Sequence, residues 1–210
     1  MKNKNDGICR IVSAGNFCAE EFSKRLKKEK SSLLIAADAG YLHLEKLGII
    51  PDLFVGDADS LGFMPENTEI VALPAEKDDT DTMAAVKKGL DLGFSRFELF
   101  ASLGGKRFSH SLANLQTLLF LKENGAEGEL IDEYCTVKVL CNETAKIENA
   151  KFISVFAASE EATVSERGVK YPLENHRIIN CFPLGVSNEP ADGVCEIEVT
   201  SGVVFLVIEK

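Results

Sequence analysis

Aspartates recur through the first half of the chain in groupings that could hold a hard cation or a phosphate. Asp57-Ala58-Asp59 sets two carboxylates one residue apart, Asp38 follows an apolar run, and Asp78, Asp79 and Asp81 crowd around Thr80. In extended chain, residues i and i+2 point to one side, which spaces Asp57 and Asp59 for a shared cation. Two carboxylates about 4 Å apart repel by about 4 kcal/mol at an effective dielectric of ~20. Their convergence therefore calls for a divalent ion. Oxygen-only ligands suit Mg²⁺, which keeps several waters and takes further ligands from substrate phosphates.

These acids belong to a larger imbalance. From Asp52 to Asp81 there are nine acidic residues and one base, Lys77, so this window holds -8 of the net charge of -10. A deficit of Lys and Arg argues against a nucleic-acid partner, because phosphate backbones are gripped by basic patches.

Leu103-Gly104-Gly105-Lys106-Arg107 is a second candidate. Glycines let backbone N–H groups approach a phosphate, and two bases ahead of a helix favour an anion. The spacing is not that of a Walker loop, since Phe100 stands where its first glycine would be. Ser109 reads as the N-cap of the helix that follows, and its adjacency to His110 is a weak hydrolase signal. Gly185-Val186-Ser187-Asn188-Glu189 reads as a hairpin loop.

The elements that position these groups follow from the apolar pattern. In a chain of 210 residues, 45% hydrophobic and 27% charged, one large or two small domains are expected. Strands are predicted at Gly7 to Ala14, Ser32 to Ala37, Asp52 to Val55, Ile70 to Leu73, Arg96 to Ala101 and Glu129 to Tyr134. Helices are predicted at Cys18 to Lys30, Tyr41 to Leu47, Thr80 (or Asp79) to Leu92 and Ser109 to Glu123. This alternation predicts a doubly wound, mostly parallel sheet with helices on both faces, whose ligands bind beyond the carboxyl ends of the strands. Asp38, Asp57, Asp59 and the Asp78–Asp81 group are then expected at one sheet edge. After residue 135 the helical period ends, and seven short strands predict a small antiparallel β-sandwich or barrel. The expected division is 1–135, an α/β unit, and 136–210, a β unit.

Cys9, Cys18, Cys135, Cys141, Cys181 and Cys195 form no C-x-x-C pair and sit mostly in apolar runs. Small buried thiols in a reducing cytoplasm are expected, with neither a zinc site nor a disulfide framework. The absence of a signal-peptide pattern or a long apolar run leads to the same cytoplasmic expectation, with no membrane partner.

In order, Ala37-Asp38-Ala39-Gly40, Gly48-Ile49-Ile50-Pro51-Asp52, Gly56-Asp57-Ala58-Asp59-Ser60, Lys77-Asp78-Asp79-Thr80-Asp81, Gly104-Gly105-Lys106-Arg107-Phe108-Ser109-His110 with Leu112-Ala113-Asn114, Val169-Lys170-Tyr171-Pro172-Leu173 and Val186-Ser187-Asn188-Glu189 resemble the thiamine pyrophosphokinase family. The resemblance runs from about residue 10 to the C-terminus, and the ordered set is far more specific than any one motif. It implies pyrophosphoryl transfer from ATP to the hydroxyethyl oxygen of thiamine, giving thiamine diphosphate and AMP. It also implies an ATP/Mg²⁺-binding catalytic α/β domain, a thiamine-binding β-sandwich domain and a homodimer with thiamine at the subunit interface.

By motif position, Asp57, Asp59 and Asp81 would be the catalytic Mg²⁺ ligands. Asp38, Lys77, Asp78, Thr80, Lys106, Arg107, His110 and Asn114 would serve ATP, and Ser187 and Asn188 would serve thiamine. The chain departs from the family at Ser109, where Asp is usual, at Ala39, where Gly is usual, and at Ala58, where a bulky residue is usual. The lost carboxylate at Ser109 motivates one alternative, a thiamine- or nucleotide-binding protein with impaired catalysis. The D-x-D pair motivates another, a nucleotide-sugar transferase.

Overall fold

Short runs of β-branched and large apolar residues build the strands of the first unit. In the computed structural model, which describes residues 5–29, 33–59, 61–65, 67–72 and 78–210, the chain divides into Met1–Glu133 and Tyr134–Lys210.

The first unit carries β1 (Cys9–Val12), α1 (Ala19–Lys28), β2 (Leu33–Ala37), α2 (Tyr41–Glu45), β3 (Leu53–Gly56) and β4 (Glu69–Ala72). It continues with α3 (Asp81–Asp91), β5 (Arg96–Phe100), α4 (Phe108–Glu123) and β6 (Glu127–Ile131). All strand pairings within it are parallel, in the order β6-β5-β1-β2-β3-β4. Succession therefore reverses at β1, with β2 on one side and β5 on the other. That reversal opens a crevice at the carboxyl ends of β1 and β5.

Alternation along the strands assigns the helices to faces. Val12 and Phe100 pack with Phe22 of α1 and Leu44 of α2. On the other face, Gly89 of α3 lies against Cys9 and Phe97, and Leu118 and Leu121 of α4 close over Gly128. The same alternation places Arg10, Glu98 and Glu129 in one row across β1, β5 and β6, on the face of α1. Arg10 donates to Glu98 at 2.5 Å, and Arg25 of α1 bridges Glu98 and Glu129 at 2.9 Å each. Arg10 and Glu98 are buried and Arg25 and Glu129 half-buried, so the row is an ion network with a buried pair at its centre.

The second unit consists of β7 (Cys135–Glu148), β8 (Phe152–Ala157), β9 (Glu161–Arg167), β10 (Leu173–Ile179), β11 (Gly185–Asn188) and β12 (Val194–Glu209). It thus has six strands where the sequence suggests seven short ones, because two pairs fuse into long strands and β11 is added. The turn signals at Asn142 and at Ser201-Gly202 are bends within continuous strands. Asn142 (φ 51°) and Gly202 (φ 77°) adopt the left-handed conformation, which kinks a strand without ending its ladder. β12 pairs antiparallel with β7 along its length. Its first half also pairs with β9, which continues to β10, and its second half with β8, which continues to β11. Two sheets thus share the long strands around a core that includes Ile153, Val155, Val164, Ile197, Val204 and Leu206.

Among the described residues no helix is long and apolar enough to cross a membrane. Of the six thiols, only Cys9 and Cys195 are buried, while Cys18, Cys135 and Cys141 are half-buried and Cys181 is exposed. The expectation of buried cysteines is corrected accordingly. Apolar neighbours in sequence do not bury a residue that lies in a turn, as Cys181 does between β10 and β11.

Candidate active site at the carboxyl edge of the parallel sheet

Three strands of the first unit end in non-glycine residues with left-handed backbone: Asp38 (φ 47°) after β2, Ala58 (φ 61°) just beyond β3 and Ala101 (φ 50°) after β5. Such residues cost energy and persist where the surroundings fix them. At β2 the fixing contact is Gly40, in the 3-10 turn Asp38–Gly40. Its Cα packs so closely on the Val12 carbonyl that a Cβ would collide with it. Asp38 is consequently drawn to the end of β1, 9% exposed, with its Oδ1 buried and lacking a hydrogen-bond partner among the described residues.

The ladder of β1 and β5 continues past both strands. Ser13 N–H donates to the Phe100 carbonyl at 2.9 Å, Gly15 N–H to Ala101 at 2.6 Å and Asn16 N–H to Leu103 at 3.0 Å. Side-chain hydroxyls then join four elements. Ser102 Oγ donates to Ser13 Oγ at 3.1 Å, the Ser13 and Thr82 hydroxyls share a hydrogen bond at 2.8 Å, and Asn114 Nδ2 donates to the Ser102 carbonyl at 2.6 Å. All four residues are buried. The ends of β1 and β5 are thereby fixed to the first turn of α3 and the second turn of α4.

Thr80 caps α3 by accepting the Met83 N–H at 3.1 Å, as one of its two proposed starts anticipates. Asp81 begins that helix. α4 begins at Phe108, with Arg107 at its N-cap and no capping side chain. Ser109 therefore lies within the first turn, which corrects its reading as the cap: Gly104 (φ 67°) and Gly105 (φ 81°) reverse the chain early, and the helix starts sooner. Lys106 and Arg107 are exposed at this helix N-terminus, where the dipole adds to their attraction for an anion. The His110 imidazole is held below its ordinary pKa by burial and by the neighbouring Arg107 guanidinium, while Asp81 acts in the opposite direction. His110 is therefore within electrostatic reach of both Arg107 and Asp81.

The acidic window divides. Asp57 and Asp59 follow β3 at the crevice edge, but not in extended chain. Asp57 Oδ1 accepts the Asp59 N–H at 3.1 Å, and Ala58 turns left-handed between them. The alternation argument for the pair fails because a short Asp side chain captures a nearby backbone N–H and folds a turn. Asp52 precedes β3 at the opposite edge, where its carboxylate accepts the Leu34 N–H at 2.7 Å. Glu69 begins β4, also away from the crevice. Asp79 is engaged by Lys87 of α3 at 2.7 Å, and Asp78 is exposed. Lys77 lies outside the described residues. Among the described residues no three His, Cys, Asp or Glu side chains gather closely enough to hold a metal by themselves.

In the second unit, the Gly185–Glu189 segment is strand β11 through Asn188, paired with β8, and not a hairpin loop. The register shifts between Gly185 and Asn188, and this bulge gives the segment its turn-like composition. Ser187 is exposed with φ 55°, and its N–H donates to Ser154 Oγ at 2.9 Å. Asn188 is buried instead. Its amide donates to Glu166 Oε2 and the Tyr171 carbonyl at 2.8 Å each, and accepts from the Tyr171 and Glu189 N–H groups at 3.1 Å each.

Sequence reasoning misses Ser13, Thr82 and Ser102. The available signal was positional: each is a small hydroxyl residue next to, or one residue beyond, a strand end or helix start at the same sheet edge.

The chain matches the family model "Thiamin pyrophosphokinase, catalytic domain" over residues 25–128 and "Thiamin pyrophosphokinase, vitamin B1 binding domain" over residues 139–204. It is 29% identical over 189 residues to a thiamine pyrophosphokinase of Bacillus subtilis, covering 85% of this chain and 88% of that protein. The crystal structure of thiamine pyrophosphokinase from Bacillus subtilis superposes with a TM-score of 0.83 at 26% identity, covering 97% of this chain and 99% of that one. The fold extends to thiamin pyrophosphokinase from Candida albicans, with a TM-score of 0.78 at 15% identity over 97% of this chain and 88% of that one. The two family models describe the two halves of one enzyme in the order found here, and the chain belongs to the thiamin pyrophosphokinase family, which forms thiamine diphosphate by transferring pyrophosphate from ATP to thiamine.

Proposed function

We propose that the crevice beyond β1 and β5 binds the triphosphate of ATP, and that Ser187 meets the pyrimidine ring of thiamine. The observation that carries this reading is the hydrogen-bonded set Ser13, Thr82, Ser102 and Asn114, which ties α3, with Asp81, and α4, with Arg107 just ahead of it and His110 within it, to the switch point of the sheet, the place where open α/β sheets bind ligands. Asp57, Asp59 and Asp81 would hold Mg²⁺, with Asp38, Lys77, Asp78, Thr80, Lys106, Arg107, His110 and Asn114 around the nucleotide.

The residues fit such an ion. The donors are carboxylate oxygens, and Asp38 brings a buried oxygen without a hydrogen-bond partner among the described residues to the same edge. Mg²⁺ keeps several waters and completes its shell with substrate phosphates, so one or two carboxylates are enough. When bound, it would offset charge on the phosphates.

The thiamine hydroxyl oxygen forms a bond to the β-phosphorus in line as the bond from that phosphorus to the α,β-bridging oxygen breaks. AMP leaves with the electron pair, and an aspartate at the crevice accepts the hydroxyl proton. Lys106 and Arg107 offset the negative charge on the departing phosphate. Asn114 also holds the loop after β5, through its hydrogen bond to the Ser102 carbonyl.

The exposed apolar side chains Tyr171, Phe182, Leu184 and Val186 of the second unit support a homodimer, and the negative charge supports a partner list without nucleic acid. A cytoplasmic location accords with free thiols.

The test is substitution of the acids. Asp59→Asn and Asp81→Asn should each lower kcat by about 10²-fold or more, the range for losing a preorganised electrostatic group, and raise the Mg²⁺ concentration needed for half-maximal rate. Near-normal turnover of both variants at ordinary Mg²⁺ would overturn the assignment.

A further inference from the structure

Glu166 lies in β9 with 1% of its surface exposed, within the core of the second unit. Burying a carboxylate is costly, and apolar replacement of such a group is often neutral or stabilising. Its presence therefore needs a reason beyond packing. One carboxylate oxygen, Oε2, accepts from Asn188 Nδ2 at 2.8 Å, while Oε1 is buried without a hydrogen-bond partner among the described residues. Gly185 leaves room beside it, since a Cβ there would approach Oε1 to 3.2 Å.

Asn188 has every donor and acceptor of its side chain engaged within the fold. It has nothing left to offer a ligand. What it does is tie β11 to the backbone at Tyr171, immediately beside the left-handed Ser187. The Ser187 N–H is held in turn by Ser154 of β8, so the bulge is pinned from both sides.

We infer that Glu166 is a positioning residue for the thiamine subsite, fixing the Ser187 hydroxyl through Asn188. The inference rests on the reading that Ser187 meets thiamine. Glu166 acts by accepting one hydrogen bond, so its charge is dispensable and its acceptor is not.

Steady-state kinetics on Glu166→Met, Glu166→Asp and Glu166→Gln, with Ser187→Ala alongside, test this. Glu166→Met removes the acceptor at similar length and should raise the KM for thiamine about 10-fold, leaving kcat and the KM for ATP within about 2-fold. Glu166→Asp retracts the acceptor by one methylene and should shift the thiamine KM in the same direction, which keeps the test decisive if the Met variant does not fold. Glu166→Gln retains an acceptor and should restore the wild-type thiamine KM. An unchanged thiamine KM in the folded Met or Asp variant, an equal rise for both substrates, or failure of Gln to restore it overturns the inference. If Ser187→Ala leaves the thiamine KM unchanged, the subsite reading itself is wrong. If Ser187→Ala raises it and Glu166→Asp does not, that reading stands and the role of Glu166 is refuted.

Discussion

Ser13 and Thr82 stand 69 positions apart in the chain, and their hydroxyls share a 2.8 Å hydrogen bond at the crevice of the parallel sheet. Thr82 follows Asp81 at the start of α3, and Ser13 follows the last residue of β1. The pair therefore sets where the helix that carries Asp81 begins relative to the sheet. Because Ser13 also accepts from Ser102 and the Ser102 carbonyl receives Asn114, the arrangement extends to β5 and α4.

Thr82→Val keeps the shape of the side chain and removes the hydroxyl. It leaves part of a buried network unsatisfied, and about 1–3 kcal/mol of stability should be lost. Turnover should fall as well, because Asp81 is no longer fixed. Urea unfolding and kcat measured side by side check this, with Thr82→Ser expected near wild type in both. A stability loss with unchanged kcat would show the pair to be structural only.

Gly40→Ala tests the close approach of the Asp38–Gly40 turn to β1. The added Cβ would meet the Val12 carbonyl and lies close to that of Ser13, and backbone cannot yield as a flexible side chain does. A loss of about 3 kcal/mol, at the upper end for overpacking, is expected in thermal or urea unfolding. A variant as stable as the wild type would mean that Asp38 is not held by this contact.

Much of the architecture is legible in the sequence. Alternating strand and helix patterns indicate the parallel sheet, and the loop positions of Asp38, Asp57 and Asp81 indicate its carboxyl edge. Less legible are features that depend on one atom meeting another. The Asx turn at Asp57 cancels the alternation expected of a D-x-D pair. The early reversal at Gly104-Gly105 moves the start of α4 ahead of Ser109. The bends at Asn142 and Gly202 look like strand ends, because the same residue types serve a kink and a turn. The row of Arg10, Glu98 and Glu129 is invisible until register aligns three strands.

That row is open to direct test. Glu98→Ala removes the carboxylate that Arg10 donates to in a buried setting, and breaking a buried pair in this way costs about 3–5 kcal/mol. The loss should appear as a lower urea midpoint with an unchanged slope. A change below about 1 kcal/mol would mean that the pair does not hold the row together.

Burial pushes the Glu166 carboxyl up from its ordinary value of 4.5, against the hydrogen bond from Asn188. A raised folded pKa means that the folded chain holds its proton more tightly than the unfolded chain. The resulting stability is full below about 4.5 and is lost as pH rises through the folded value. Glu166→Gln cannot ionise, so its stability relative to wild type should rise between pH 4.5 and neutrality. Unfolding midpoints of both proteins across that range check it, and a constant difference would contradict it.

Thiol reactivity separates the cysteines. Cys181 is exposed, whereas Cys9 and Cys195 are buried and burial pushes both thiols up. A disulfide reagent should therefore modify Cys181 in the native protein and reach Cys9 and Cys195 only on unfolding. Cys181→Ser should abolish the fast phase. Persistence of that phase would relocate the accessible thiol.

Pyrophosphate should pass as a unit from ATP to thiamine at this sheet edge. Purified protein incubated with ATP, Mg²⁺ and thiamine should release AMP and thiamine diphosphate in equal molar amounts, and Asp81→Asn should suppress both together. Tight thiamine binding without either product, or ADP appearing in place of AMP, would contradict it.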